Sequence, residues 1–445
     1  MTRSSGSSGS SVPRDGAAGS AEEPRNPRYR GTDLVRAVGF WGLVAMCINA
    51  VVGSGVFLLP TESYRLLGPF SLCAPLLFAV PVFILVLCFA EAASHFTEPG
   101  GAYLYARTAF GDFVGFETGW MNWIARLTSL ASLSNGFVVS LALFFPSLGV
   151  GIPRASIIIV SLAILGAIHF VGVRYGAASI YVFTFGKLVP LLFFIVIALI
   201  AFRHNPIPQS LHWPGAGTNW SDAALFMLFA YAGFENLGVP AGEYRNPRRD
   251  LPRALLAGIL AIAAIYVFAQ LGAMASITNL AKTETPIASA AAAIIGPIGA
   301  WVVTLGALLS MAGTNSGTVL EGSRMLYALS LDRRLGAVSY VHPRFRTPTV
   351  AIVIHVVVAM IAAVAGSFAQ LALLSTVARL ATYLAGCASL PFLGDRTPRR
   401  IVLAILGTLV SLTFVITLHQ RNAIAAAIAL VAGAAVWAVS RPKVA

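Results

Sequence analysis

The 445-residue chain is 57% hydrophobic and only 11% charged, whereas soluble domains are about 45–50% apolar and about 25% charged. This balance excludes a cytosolic enzyme, a disordered chain and a disulfide-built secreted domain, and it favours an all-α polytopic membrane protein. The apolar runs are long and continuous rather than alternating, which argues against a membrane β-barrel.

The net charge of +13 would suggest nucleic acid in a soluble protein. In a membrane protein, basic residues instead hold the cytoplasmic loops in place, so we expect no nucleic-acid partner. The cysteines fall inside apolar runs without metal-ligand spacing. We therefore expect packed thiols, with no metal and no cofactor, at Cys47, Cys73, Cys88 and Cys387.

Residues 1–36 form a polar tail rich in Ser, Gly, Pro and Arg, which predicts a disordered cytoplasmic segment. From residue 38 onward the chain contains apolar stretches of bilayer-spanning length, about 20 residues at 1.5 Å each. The third and eighth are long enough to be tilted or to extend beyond the bilayer. The twelve predicted spans are 38–60, 69–93, 114–146, 155–171, 177–202, 222–241, 253–276, 297–329, 348–366, 369–393, 400–418 and 422–440.

The distribution of Lys and Arg predicts the orientation of these spans. An even number of spans places both termini on one side, and most basic residues fall in the loops and tails on that side. Because cytoplasmic loops carry the excess of Lys and Arg, we predict that the N- and C-termini are cytoplasmic. The compact loops favour a bacterial inner membrane.

Two spans contain signals of a broken helix. In the first, Gly53 and Gly55 flank Ser54, and glycine weakens a helix by about 1 kcal/mol relative to alanine. In the sixth, Gly233 precedes Glu235 within the membrane, where an ionised carboxylate is costly and normally functional or paired. The alternatives are a close helix–helix contact at the glycines and a structural glutamate satisfied by backbone amides.

The positions of the two breaks are related. They lie five spans apart, and an odd number of spans reverses the direction of crossing. Interrupted helices at matching positions of two inverted halves point to a transporter's binding site. Freed N–H groups can hold a carboxylate and freed C=O groups can hold an ammonium, and an α-amino acid carries both.

Five motifs follow one another along the predicted helices and loops. They are VVGSGVFLLP at 51–60, EPGGAYLY at 98–105, GFETGW at 115–120, FAYAGFE at 229–235 and AGEYRNP at 241–247. In this combination and order they resemble the amino acid–polyamine–organocation (APC) transporter superfamily. The stretch from the sixth helix and the loop after it is the most specific.

This resemblance implies a LeuT-like fold of about twelve transmembrane helices with a five-plus-five inverted repeat. The repeats would span 38–203 and 222–393, with peripheral helices at 400–440. It also implies an amino acid or related amine as substrate, moved by a transporter with alternating access rather than transformed by an enzyme. Residues 38–440 carry the resemblance, and the tail lies outside it.

The resemblance also assigns site residues. The matching positions for the substrate carboxylate are Gly53, Ser54 and Gly55. Carbonyls near the break of the sixth helix would face the amine, at Tyr231, Ala232 and Gly233. Phe234 and Tyr231 are candidates for an occluding aromatic gate, with core packing as an equal alternative. Glu235 matches an acidic position used in coupling or gating.

Lys187 lies near the middle of the fifth span, too deep to reach the interface easily. Its charged form is poorly solvated there, so it can exchange a proton. Proton-coupled APC members resemble this sequence in placing a lysine where sodium-coupled relatives bind an ion. We therefore predict proton-coupled symport, with Lys187 in coupling. The alternatives are a static positive charge and an exchanger without ion coupling.

Arg126 and Arg379 are the other intramembrane bases, and we expect each to pair with an acid in an architectural or gating role. Glu117 is close to Arg126 in sequence, and Glu91 and Glu321 are further candidates. The sequence leaves these pairings open.

An enzyme on this chain would need a nucleophile with its base, or a metal set. Ser54 is not in G-x-S-x-G, and no H-E-x-x-H is present, so we predict no enzymatic activity and no catalytic residues. Apolar residues in the sixth span favour neutral or aromatic substrates, although cationic amino acids and polyamines stay open. These residues are Leu228, Phe229, Leu237 and Val239.

Overall fold

The computed structural model describes residues 38–96, 101–172, 176–204, 213–215, 217–237, 244–333 and 335–440. The predicted tail at 1–36, parts of the motifs at 98–105 and 241–247, and Val239 lie outside the described residues.

The described part of the chain is all-helical. Fifteen α-helices follow one another, joined by loops and short 3-10 turns. They are α1 (Phe40–Val51), α2 (Gly55–Leu67), α3 (Ala74–Ala93), α4 (Ala102–Phe110), α5 (Asp112–Ala142), α6 (Gly151–Val171), α7 (Gly176–His204), α8 (Trp220–Tyr231), α9 (Pro247–Ser276), α10 (Pro286–Ile295), α11 (Pro297–Arg333), α12 (Thr349–Ala365), α13 (Phe368–Ser389), α14 (Pro398–Ile416) and α15 (Gln420–Val439).

Each of the twelve predicted spans contains helix in its described part. Within the described ranges, nine helices are long and apolar enough to cross a bilayer, and α1 with α2 supplies a tenth span bent by 52°. The remaining two are α12, with 17 residues, and the 12-residue α8, which ends where the sixth span breaks. The two spans predicted to be long are α5, with 31 residues, and α11, with 37.

Two short helices lie between the predicted spans. α4 has nine residues and α10 has ten. Neither is long enough to span a bilayer, so a search for bilayer-length apolar runs misses them.

Burial separates an inner group of helices from a lipid-facing rim. The most apolar stretch of α5 is 78% buried and packs against α11 and α13. The corresponding stretch of α15 is 6% buried and that of α6 is 22% buried. Exposed apolar side chains on the rim suit a hydrocarbon solvent. The four cysteines are unbridged, as predicted.

Candidate functional site

The first break separates α1 from α2. Helix α1 ends at Val51, Val52 is extended, and α2 begins at Gly55. The break leaves carbonyls at the end of α1 without helical partners, since the last turn of any helix has no following N–H groups. Ser54 is 1% exposed, and its hydroxyl has no hydrogen-bond partner among the described residues.

The second break ends α8 at Tyr231. Ala232 is extended, and Gly233 has φ +125°, a conformation in which side chains with a Cβ are strained. A short 3-10 turn, Phe234–Asn236, follows. The sequence signals at Gly53–Gly55 and at Gly233 therefore both mark interrupted helices.

The two breaks meet. A Cβ on Gly233 would overlap the Ala50 carbonyl and would lie 2.9 Å from its carbon, so only glycine allows this approach. A Cβ on Gly55 would come within 3.1 Å of the Ala230 backbone. A Cβ on Gly53 would make ordinary contacts, the nearest with Leu133 at 3.5 Å. Small residues thus bring α1 and α2 against the sixth span.

Lys187 caps the first break. It lies in α7, its side chain is fully buried, and its ammonium donates hydrogen bonds to the carbonyls of Val52 at 2.8 Å and Asn49 at 3.0 Å. The Thr314 hydroxyl on α11 lies 3.4 Å away. Among the described residues, no carboxylate lies within ion-pair distance of this ammonium. Its charge is therefore held by the carbonyl end of α1, where cations are favoured.

Ser310 contributes to the same cap. Its hydroxyl lies 3.2 Å from the carbonyl oxygens of both Val52 and Gly53. The first break is therefore bounded by α7 and α11 as well as by its own two helices. Ser310 and Thr314 could not be predicted as part of this site, because both lie in a long apolar helix without a motif.

Glu235 caps the second break. Its carboxylate accepts a hydrogen bond from the Gly233 N–H at 2.8 Å and one from the Tyr383 hydroxyl at 3.3 Å. Arg379 on α13 forms a close ion pair with the same carboxylate, and the two side chains are 6% and 3% exposed. Burial of this acid is thus compensated by hydrogen bonds and by an opposite charge.

Arg126 extends this pair into a chain of four charges. A guanidinium nitrogen of Arg126 lies 3.8 Å from Glu235, and another forms a close pair with Glu321 on α11. The order is Arg379, Glu235, Arg126, Glu321. We call this set the four-charge chain. It links α5, the sixth span, α11 and α13.

The four-charge chain ends at open space. The side chain of Glu321 is 42% exposed, and a Cβ placed on Gly317, one turn earlier in α11, would have no neighbour within 4 Å. Helix α2 is hydrogen-bonded to the segment before α10. Arg65 donates to the Ala281 carbonyl at 2.5 Å, and the Thr61 hydroxyl donates to the Thr283 carbonyl.

Glu117 and Glu91 do not pair with the intramembrane arginines. Glu91 binds Arg400 at 2.8 Å. The carboxylate oxygens of Glu117 have no hydrogen-bond partner among the described residues and lie against Gly433 of α15. Nine residues separate Glu117 from Arg126, which is about 13 Å along a helix, so proximity in sequence did not identify the partner.

The two candidate gate aromatics are both packed. Phe234 is 1% exposed and lies between Phe89 and Tyr383, with ring centroids 5.9 and 5.6 Å away. The Tyr231 hydroxyl donates to the Pro75 carbonyl at 2.8 Å, and its ring is 5.3 Å from that of Tyr266. In this conformation both rings contribute to the core around the second break.

Comparison with known proteins identifies the family. A family model described as amino acid permease matches residues 38–438. The chain belongs to the amino acid permease family. This membership confirms the resemblance to APC transporters, and the all-helical fold with its broken first span agrees with it.

Relatives of this permease come from several bacteria. The serine/threonine exchanger SteT of Bacillus subtilis (strain 168) is 30% identical over 342 residues, which are 74% of this chain and 76% of SteT. A protein of the same strain, named as an arginine/ornithine antiporter, is 29% identical over 65% of this chain and 68% of its own. An uncharacterised transporter of Mycobacterium tuberculosis (strain ATCC 25618 / H37Rv) is 26% identical over 94% of each chain.

Proposed function

We propose that this permease is a secondary transporter that binds an amino acid or related amine between the two helix breaks. Gly53, Ser54 and Gly55 would hold the substrate carboxylate through N–H groups at the start of α2, where anions are favoured. The unpartnered Ser54 hydroxyl supports this placement. Carbonyls of Tyr231, Ala232 and Gly233 would hold the ammonium.

Lys187 would couple transport to the proton. The observation that carries this proposal is the ammonium held between the Val52 carbonyl and α11, without a carboxylate partner among the described residues. Loss of its proton removes the charge that attracts these carbonyls, and α1 is then held less firmly to α7. Protonation would thereby bias the equilibrium between conformations that face the two sides of the membrane.

Glu235 would act in gating. Its carboxylate fixes the Gly233 N–H and links it to the four-charge chain. Glu321, at the open end of that chain, is 42% exposed. With the predicted orientation, the N- and C-termini would lie on the cytoplasmic side of an inner (plasma) membrane, and the rim helices would contact its lipid.

The second candidate mechanism is exchange without ion coupling. Two of the relatives are named as an exchanger and as an antiporter. The substrate site would be unchanged, and Lys187 would then be a fixed charge that stabilises the first break.

Uptake into proteoliposomes separates the two mechanisms. Purified protein is reconstituted, and uptake of labelled serine is measured with an imposed pH gradient and, separately, with unlabelled serine inside. Symport predicts accumulation driven by the gradient into empty vesicles. Uptake that requires internal serine and ignores the gradient would contradict symport and favour exchange.

The variant Lys187→Met tests whether Lys187 couples transport to the proton. We expect gradient-driven accumulation to be lost while serine binding, measured by ligand-induced thermal stabilisation, persists. Lys282→Met is the matched control, since Lys282 is an exposed lysine in the segment before α10. Concentrative uptake at the wild-type level in Lys187→Met would rule out the coupling role.

A further inference from the structure

We propose that the four-charge chain makes this transporter selective for amino acids whose side chain carries no positive charge, and that Arg379 is the residue that sets this selectivity. The inference rests on the proposed function, because it concerns the substrate bound between the two breaks. It excludes dibasic amino acids and polyamines.

A substrate brings its own charges to the proposed site. An α-amino acid carries one carboxylate and one ammonium, and the two helix breaks can bind these with backbone groups alone. An ammonium or guanidinium on the side chain adds a third charge. Its transfer from water to a buried site costs several kcal/mol unless a carboxylate compensates it.

The carboxylate nearest to the breaks is already neutralised. Glu235 touches the Gly233 N–H at 2.8 Å, so it is the acid next to the proposed ammonium site. Arg379 forms a close ion pair with it, and Arg126 approaches to 3.8 Å. A cationic side chain would therefore meet two guanidinium groups beside the one acid.

Glu321 does not supply a replacement. Its carboxylate is bound by Arg126, at the end of the chain that borders open space. Glu91 is paired with Arg400, and Glu117 lies against α15. Within the described spans, the acids are thus paired or remote from the breaks.

The net charge around the breaks also disfavours a cationic side chain. Arg126, Arg379 and Lys187 provide three positive charges against the two negative charges of Glu235 and Glu321. While Lys187 is protonated, the surplus is positive and lies next to the first break. This field repels a cationic side chain and accepts a neutral or acidic one.

Arg379 is the decisive member because it makes the closest contact with Glu235 and no ion pair with Glu321. A substitution that removes its charge would leave Glu235 only partly compensated, by Arg126 at 3.8 Å. The freed carboxylate could then pair with a cationic side chain. Arg379→Lys retains the charge and should retain the selectivity.

The first test uses the wild-type protein in proteoliposomes. Uptake is measured separately for labelled serine, threonine, leucine, phenylalanine, arginine, ornithine and putrescine. We expect uptake of at least one of the four neutral amino acids. Arginine, ornithine and putrescine should be neither transported nor inhibitory at a hundredfold excess.

The outcomes separate the inference from the proposed function. Transport of arginine, ornithine or putrescine, or inhibition by them at a hundredfold excess, overturns the selectivity and leaves amino acid transport intact. No uptake of any of the seven compounds overturns the proposed function and this inference with it.

The second test uses Arg379→Gln. We expect arginine, at the hundredfold excess that leaves the wild type unaffected, to reduce neutral amino acid uptake by Arg379→Gln by about half or more, with no such loss in Arg379→Lys. Arg400→Gln is the matched control, because it breaks the peripheral pair with Glu91. If arginine inhibits uptake by folded Arg379→Gln no more than it inhibits the wild type, the role of Arg379 is overturned. If this variant does not fold, uptake of the seven compounds by the wild type decides the selectivity.

Discussion

The two helix breaks are stabilised by opposite charges. At the first, an ammonium on α7 binds the carbonyl end of α1, and a serine hydroxyl on α11 assists it. At the second, a carboxylate three residues beyond Ala232 binds the Gly233 N–H. Each charge complements the backbone groups that its break exposes.

The two caps differ in how firmly their charges are held. Lys187 has only neutral oxygen partners among the described residues, so its charge depends on its own proton. Glu235 is paired with Arg379 and lies close to Arg126, so two guanidinium groups balance its charge. In the proposed mechanism the first break is therefore the one that protonation alters, and the second is the fixed anchor.

Arg379→Gln should have the largest effect on stability. It leaves the buried carboxylate of Glu235 without its closest partner, and breaking a buried pair on one side costs about 3–5 kcal/mol. We expect a matching fall in the free energy of unfolding, measured by denaturant titration in detergent. The double variant with Glu235→Gln should recover part of it, and additive losses would contradict the pairing.

Gly233→Ala should have the next largest effect. The φ of +125° strains a residue with a Cβ by about 1–3 kcal/mol, and the added methyl overlaps the Ala50 carbonyl. We expect a loss of about 3 kcal/mol in stability. Gly296→Ala isolates the strain, because Gly296 also has positive φ but open space around it. Equal losses at both positions would show that the contact with α1 contributes nothing.

More of the fold than of the candidate site could be predicted from the sequence. Bilayer-length apolar runs located the spans, and glycines beside Ser54 and Glu235 located the breaks, because both signals are local in sequence. The burial of Lys187 also followed from its position within a span. The partners of Arg126 and Arg379 could not be predicted, since these pairs join helices more than 140 residues apart and depend on how the helices pack.

Ser310→Ala should have a smaller effect at the first break. The serine hydroxyl is 3.2 Å from two carbonyl oxygens, and Lys187 still binds the Val52 carbonyl after its removal. Only the Gly53 carbonyl is left without a side-chain partner, so we expect a loss of about 1 kcal/mol. Ser411→Ala is the control, because that hydroxyl binds its own helix at Gly407. A loss above that of Arg379→Gln would reverse the proposed ranking of the two caps.

Gly53→Ala should have the smallest effect on stability. Its added methyl would meet Leu133 at 3.5 Å and Thr314 at 3.6 Å, which are ordinary packing distances. We expect the free energy of unfolding to change by less than about 0.5 kcal/mol. If the substrate carboxylate binds here, the methyl occupies the space it needs, and substrate affinity should fall about tenfold.

This contrast with Gly233 distinguishes a glycine required for binding from one required for folding. Binding is measured by ligand-induced thermal stabilisation with serine, alongside Gly39→Ala, which adds a methyl to open space before α1. Wild-type affinity in a normally folded Gly53→Ala would remove the carboxylate site from the first break. The lysine cap would then stabilise a bend in α1 and α2 that the substrate does not touch.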